Sequence, residues 1–226
     1  MAISRRDTMF LHPFMKTAMD KMLKAYYRRS GGAFRLVVTD VHRSMSVQAA
    51  LHKKGVTANS GASGSYSRHN YMPSTAFDVA VIGGADTERT DDDRAIWDIE
   101  RYKEIGVLCS ELGTFWGGWW KSLVDGPHVQ MSTGDWYREW QVMLKVLGAY
   151  KGRIDGMFGK RSCAALRVVF SYPGLEHNMT PSIWPNAWST LWNKCYGSDP
   201  NEWVQNWWDG ESPLAVVRGW RSPRFS

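Results

Sequence analysis

No stretch of this chain approaches the ~20 consecutive apolar residues that a bilayer-crossing helix needs, which excludes an integral helical membrane protein. Met1 to Asp7 carries Arg5 and Arg6, but neither an apolar core nor a small-residue cleavage site follows, so no secretory signal is expected. Cysteine is scarce. Cys109, Cys163 and Cys195 are far apart and odd in number, giving neither a disulfide framework nor paired zinc-ligand spacing. Small buried thiols, made in a reducing compartment, are the expectation. There is also no long Lys/Arg block. The basic residues are scattered, as at Arg28-Arg29, Lys53-Lys54 and Arg218 to Arg224, which argues against a nucleic-acid module.

What the chain holds in excess is tryptophan, 13 in 226 residues, and positive charge, Lys+Arg 28 against Asp+Glu 22 for a net +6. Hydrophobic residues at 43% and charged residues at 22% make an ordinary globular mixture and exclude wholesale disorder. The length suits one large domain or two small ones. A basic protein of this kind has nucleic acid, an anionic membrane surface or an acidic polymer as candidate partners.

Leu11, Phe14, Met15, Ala18, Met19, Met22 and Tyr26 recur at helical spacing and predict a helix over about 11–28, ended by Ser30-Gly31-Gly32. Phe34 to Thr39 reads as a buried strand, Ser46 to Lys54 as a short helix, and Val56 to Ser67 as a Gly/Ser-rich loop. Ala76 to Ile82 is a second strand and His128 to Met131 a third. Asp91-Asp92-Asp93 reads as a solvated start of a helix over about 94–112, ending near Gly113. Helices and strands mix here without βαβ regularity, which predicts an α+β domain. After Ser132 strand candidates become scarce and nine of the 13 Trp occur. A boundary is therefore expected near 133, with Asp135 capping a helix and Asp199-Pro200 opening another.

His12, His42, His52 and His177 have no neighbours that point to a site, and read as surface or partly buried polar residues. His69 and His128 are different. His69 ends the flexible loop, Asp78 lies in the strand that follows, and Asp125-Gly126-Pro127 turns into His128. Two imidazoles and a carboxylate make a tripodal zinc site with a fourth position open for water. A second carboxylate three residues before a ligand can accept that water's proton.

These residues resemble those of the VanY-type zinc D,D-peptidases, and in particular the phage L-alanyl-D-glutamate peptidases. Four matches run in order over about 35–131. Val38 to Ser44 is similar to the strand that ends in Gly-Tyr-Arg-Ser, with Gln48, Leu51 and Gly55 following. Ser67-x-His69 leads to Ala76-x-Asp78. Trp116-Gly117-Gly118 with Trp120-Lys121 resembles the phage branch, and Asp125-x-x-His128 the family's acid and last ligand. Three departures stand out: the His69–Asp78 spacing is two residues longer than the commonest form, the motif glycine between them is absent, with Asn70 to Ser74 filling the gap, and Val41-His42 replaces Gly-Tyr before Arg43.

The resemblance implies one Zn²⁺ held by His69, Asp78 and His128. It implies Asp125 as the base that passes a proton to the leaving amine, and Arg43 facing the oxygen that becomes negative. Ser67 is a candidate substrate-binding residue, or a loop cap. Trp116 and Trp120 are candidate walls of the cleft, or core packing. Gln48 is expected to stabilise the fold; Asp40 and Arg68 receive no role.

Over about 136–193 the second half resembles the three-helix peptidoglycan-binding domain of wall hydrolases. The match rests on Leu147-Gly148, Ile154-Asp155-Gly156 and Phe158-Gly159, then Ala165-Leu166, Pro173-Gly174-Leu175 and Trp188 to Leu191. The Trp-rich tail, Trp203, Trp207, Trp208 and Trp220, reads as an extra helix or as faces for stacking on sugars.

The expectation is thus an α+β zinc peptidase domain at 1–132, with a small antiparallel sheet of the D,D-peptidase/hedgehog type. An all-α wall-binding domain at 133–226 follows. The resemblance implies a phage endolysin that cuts the peptide stem of bacterial peptidoglycan at L-Ala-D-Glu and lyses the host. It would be a monomer with no nucleic-acid partner and no stable membrane insertion, kept in the host cytoplasm until release. The alternatives are a D-Ala-D-Ala carboxypeptidase on the same fold and a non-catalytic wall-binding virion protein.

Overall fold

Seven β-branched, apolar and polar residues from Phe34 to Asp40 form strand β1, which pairs antiparallel with β2 (Ala76–Gly83). Every inward residue of β2 from Phe77 to Ile82 is at most 5% exposed except Asp78. β2 is therefore the central strand, and a near-continuous apolar run suits it. β5 (His128–Met131) pairs with its first half and β3 (Ala95–Ile96) with its second; β4 (Thr114–Trp116) extends the sheet beyond β5. All these pairings are antiparallel, in line with the small antiparallel sheet that the resemblance implied. The computed structural model describes residues 5–62, 65–83, 95–170 and 185–208. They fall into two compact units, Met1–Arg43 with Ser74–Ser132, and Ser44–Pro73 with Thr133–Ser226.

In the first unit, helix α1 (Pro13–Arg29) buries the stripe read from the sequence, Phe14, Met15, Ala18, Met19, Met22 and Tyr26. α1 packs on β1 and on α3 (Ile99–Leu112), which contributes Tyr102, Ile105, Leu108 and Cys109. Burying each such side chain stabilises the fold by roughly 1.5–3 kcal/mol before entropy is counted. The Tyr26 hydroxyl donates to the Arg101 carbonyl at 2.9 Å and fixes the register of the two helices. His12 is fully buried, where the sequence read a surface or partly buried polar residue. Its Nδ1 accepts from Phe14 N at 3.2 Å and caps α1, a task any short acceptor side chain can perform. α3 starts at Ile99 behind an Asp98 cap rather than near 94, and Asp91 to Asp93 lie outside the described residues.

The second unit contains α2 (Met45–Lys53) with the loop after it, and helices α4 (Thr133–Val146), α5 (Lys160–Phe170), α6 (Pro185–Tyr196) and α7 (Pro200–Trp208). Asp135 sits inside the first turn of α4, not at its cap. Trp136, Trp140, Trp188, Trp192 and Trp203 are fully buried and meet edge-on or stacked, so the tryptophan excess here is core. Trp207 is buried too, and donates to Glu139 at 3.2 Å. The Asp155-Gly156 turn is held by fully buried Gln141, whose Oε1 accepts from both backbone N–H groups at 3.0 Å. At Gly156, φ is +76° and a Cβ would lie 2.7 Å from the Gly134 carbonyl oxygen, so the turn needs glycine. Pro173 to Leu175, His177 and Trp220 lie outside the described residues.

The two units differ from a single division at 132/133 in one respect: segment 44–73 groups with the helices. The physical reason lies in its last residues. Tyr71 is 1% exposed against the rings of Trp136 and Trp188, and the Trp188 indole donates to the Pro73 carbonyl at 3.1 Å. Gln48, also buried, donates to Thr57 Oγ1 and the Asn59 carbonyl, the fold-stabilising role expected of it.

Candidate metal centre and active site

Register across β1, β2 and β5 puts Asp40 opposite Asp78, and Asp78 opposite His128. Directly opposed residues share a face of the sheet with Cβ atoms about 5 Å apart. The first pairing depends on a bulge: Val38 faces Val79, but two β1 residues, Thr39 and Asp40, are spent against Asp78. An unbroken ladder would have put Thr39 there instead. Bulges re-aim side chains in this way beside functional sites.

His128 Nδ1 lies 2.9 Å from Asp78 Oδ1, and its Nε2 lies 3.1 Å from Gln130 Oε1. Burial alone would lower the imidazole pKa. The Asp78 hydrogen bond and charge, helped by Asp125 and Gln130, outweigh burial and raise it above the ordinary value.

Two carboxylates side by side on a sheet repel. Arg43, 12% exposed, resolves this by donating its Nε to Asp40 Oδ2 at 2.7 Å and a terminal nitrogen to Asp78 Oδ2. Arg5 gives Asp40 a second cation. Asp40, which sequence reasoning left without a role, is thus the anchor of Arg43. Its only sequence signal was its place three residues before Arg43 at a strand end.

Asp125 sits in the turn before β5. Trp116, nearly buried, donates its indole N–H to the Gly126 carbonyl at 2.7 Å, and the Gly117 carbonyl accepts from Asp125 N at 3.2 Å. A Cβ at Gly117 would lie 2.6 Å from the Asp125 carbonyl oxygen and 2.9 Å from His128 Cβ. Glycine at 117 is therefore what lets this backbone approach the turn that carries the candidate base and the candidate ligand. The aromatic segment divides its work. Trp116 supports the turn from the core, whereas the Trp120 ring centroid lies 5.0 Å from that of His128.

In the second unit, His69 is fully buried in a turn, Arg68–Asn70, that Ser67 closes at both ends. The Ser67 hydroxyl accepts from His69 N at 3.3 Å, and Ser67 N donates to Asn70 Oδ1 at 2.8 Å. Ser67 is the loop-capping residue that one of its two readings described.

Among the described residues, His69, Asp78 and His128 are the group of three donors that could hold a metal ion. Two nitrogens and one carboxylate oxygen suit Zn²⁺ and leave a coordination position open, as a hydrolytic site needs. The donor set fits that metal.

Residues 60–131 match the peptidase family described as D-alanyl-D-alanine carboxypeptidase. The chain is 33% identical over 134 residues to the peptidoglycan L-alanyl-D-glutamate endopeptidase CwlK of Bacillus subtilis (strain 168), covering 54% of this chain and 73% of that protein. Among solved structures, the L-Ala D-Glu endopeptidase ChiX of Serratia marcescens aligns with a TM-score of 0.43 and 24% identity, over 59% of this chain and 90% of that one. Residues 60–131, the stretch of the family match, hold His69, Asp78, Asp125 and His128. Identity of one residue in three across nearly three quarters of a curated relative settles the kinship: the chain belongs to the D-alanyl-D-alanine carboxypeptidase family, the VanY-type zinc peptidases.

Proposed function

We propose that this protein is a zinc-dependent peptidoglycan endopeptidase that hydrolyses the L-Ala-D-Glu bond of the peptide stem, and that it serves a phage as an endolysin. One observation carries the chemistry. Asp78 and His128 are paired on adjacent strands with a third donor, His69, in the same group of potential ligands. The bond assignment follows the named activity of the relative that is 33% identical.

His69, Asp78 and His128 would hold the metal. Zinc in such a site supplies a Lewis acid that brings the pKa of water toward ~7. Asp125, fixed by the Gly117 and Trp116 contacts, takes the proton of the attacking water and returns it to the leaving amine. Arg43, pinned by Asp40, keeps a fixed positive charge beside the site, where developing negative charge on the scissile oxygen is stabilised most. Ser67 shapes the His69 turn, and Trp120 walls one side of the histidine against water. The helical unit is proposed to hold the wall, with the net +6 drawing the chain to an anionic polymer.

A second reading, a D-alanyl-D-alanine carboxypeptidase, is favoured by the description of the family that matches residues 60–131. The test of the proposed chemistry is metal content together with Asp125→Ala. Wild type is expected to carry about one zinc per chain, and Asp125→Ala to keep it while losing nearly all cleavage of sacculi. Protein that neither contains nor takes up zinc, or an Asp125→Ala enzyme with near-normal turnover, would remove this mechanism.

A further inference from the structure

A ligand loop that must be ordered when the metal arrives loses affinity, because the ordering entropy is then charged to binding. The segment around His69 is gripped on both sides by side chains of the helical unit. Just before it, the Arg68 guanidinium carbon stands 3.4 Å from the centre of the Trp136 ring. Two residues after it, the Tyr71 ring meets Trp136 edge-on at 5.3 Å and Trp188 at 6.2 Å. Next, the Pro73 carbonyl accepts the Trp188 indole N–H at 3.1 Å. Trp136, Trp188 and Tyr71 are each at most 1% exposed, so these contacts are made without competing water.

We infer that Trp136 and Trp188 are positioning residues for the metal site: they clamp segment 67–73 and so fix His69 before metal binds. This rests on the reading of His69 as a ligand. The helices after residue 132 are then part of the peptidase's working machinery, not only a holder of the wall. Trp188 is the sharper probe of the two, since its N–H bond to Pro73 can be removed while its ring is largely replaced.

The experiment compares Trp188→Phe with Trp203→Phe in the full chain. Each loses one indole N–H···O=C bond in the same unit, Trp203 from the Gly197 carbonyl at 2.9 Å. Two quantities are read: the zinc dissociation constant, by competition with a chromophoric chelator, and amide hydrogen exchange over 67–73 in metal-free protein. Trp188→Phe is expected to weaken zinc binding about tenfold, the scale of lost outer-shell support, and to speed exchange in 67–73. Trp203→Phe is expected to leave both unchanged. Equal zinc affinity and equal exchange in Trp188→Phe and wild type would overturn the positioning role while leaving the metal reading intact. Equal weakening by Trp203→Phe would overturn it too, by showing a general loss of stability. Wild type that binds no zinc would overturn the metal reading, and this inference with it.

Discussion

Asp78 Oδ1 and His128 Nδ1 stand 2.9 Å apart on directly opposed residues of neighbouring strands. In the metal-free protein a proton holds that pair together, and a metal ion taken up by the two side chains must displace it. Metal binding, acidity and stability are therefore linked through one contact.

The folded-state pKa of His128 is raised above the ordinary value of about 6.5. The stability it gives the metal-free protein is fully present below that ordinary value and is lost as pH rises through the higher folded one. Zinc affinity runs the other way and weakens as pH falls through the folded value. NMR titration of metal-free protein should place the His128 midpoint above about 6.5, and Asp78→Asn should bring it down. A midpoint at or below 6.5 in the wild type would show that burial, not Asp78, governs the ring.

Arg43 separates two adjacent carboxylates, so its removal should be costly beyond any catalytic role. Arg43→Met is expected to lower metal-free stability by about 3 kcal/mol, as when one partner of a buried pair is removed. Adding Asp40→Asn should recover about 1 kcal/mol or more, since the two sites are coupled. Urea denaturation of the single and double variants measures this. Strict additivity would mean that Asp40 and Arg43 act independently.

Gly117→Ala tests the close approach of residue 117 to the turn that carries the proposed base Asp125 and the proposed ligand His128. The added methyl meets the Asp125 carbonyl and His128 Cβ at under 3 Å, and is expected to cost about 1–3 kcal/mol in melting experiments and to weaken zinc binding. Gly159→Ala, where a Cβ meets nothing within 4 Å, should stay within about 0.5 kcal/mol of wild type. Similar behaviour of the two variants would remove the steric argument.

Ending the chain at Ser132 separates two views of the helical unit. A detachable wall module predicts weaker sacculus binding with hydrolysis of short soluble stem peptides retained. The clamp on 67–73 predicts that zinc affinity and soluble-peptide hydrolysis are lost as well, because Trp136 and Trp188 go with the deleted segment. Isothermal titration with zinc and a peptide assay on the shortened chain decide between them.

The sequence made some of this legible and hid the rest for physical reasons. The α1 stripe and the β2 run carry their periodicity openly, so helix, strand and the α+β class could be read, while the antiparallel sheet was implied by the family resemblance. His69, Asp78, Asp125 and His128 stood out through the resemblance to the VanY-type peptidases, since two histidines and two aspartates occur together by chance in many proteins. The β1 bulge did not, since nothing in Val38-Thr39-Asp40 marks where a ladder slips by one residue. Asp40 was missed for the same reason, its partner Asp78 being 38 positions away with the bulge deciding the register. The clamp was hidden more deeply: Trp188 reaches Pro73 across 115 positions, and an aromatic in a Trp-rich helix reads as plain core.

The central claim is the bond that is cut, and mass spectrometry of muropeptides released from purified sacculi tests it most directly. Cleavage at L-Ala-D-Glu predicts stems with a new amino-terminal D-Glu and glycans that keep L-Ala. Release of terminal D-Ala, with every stem still joined to its glycan, would contradict the account and identify a carboxypeptidase.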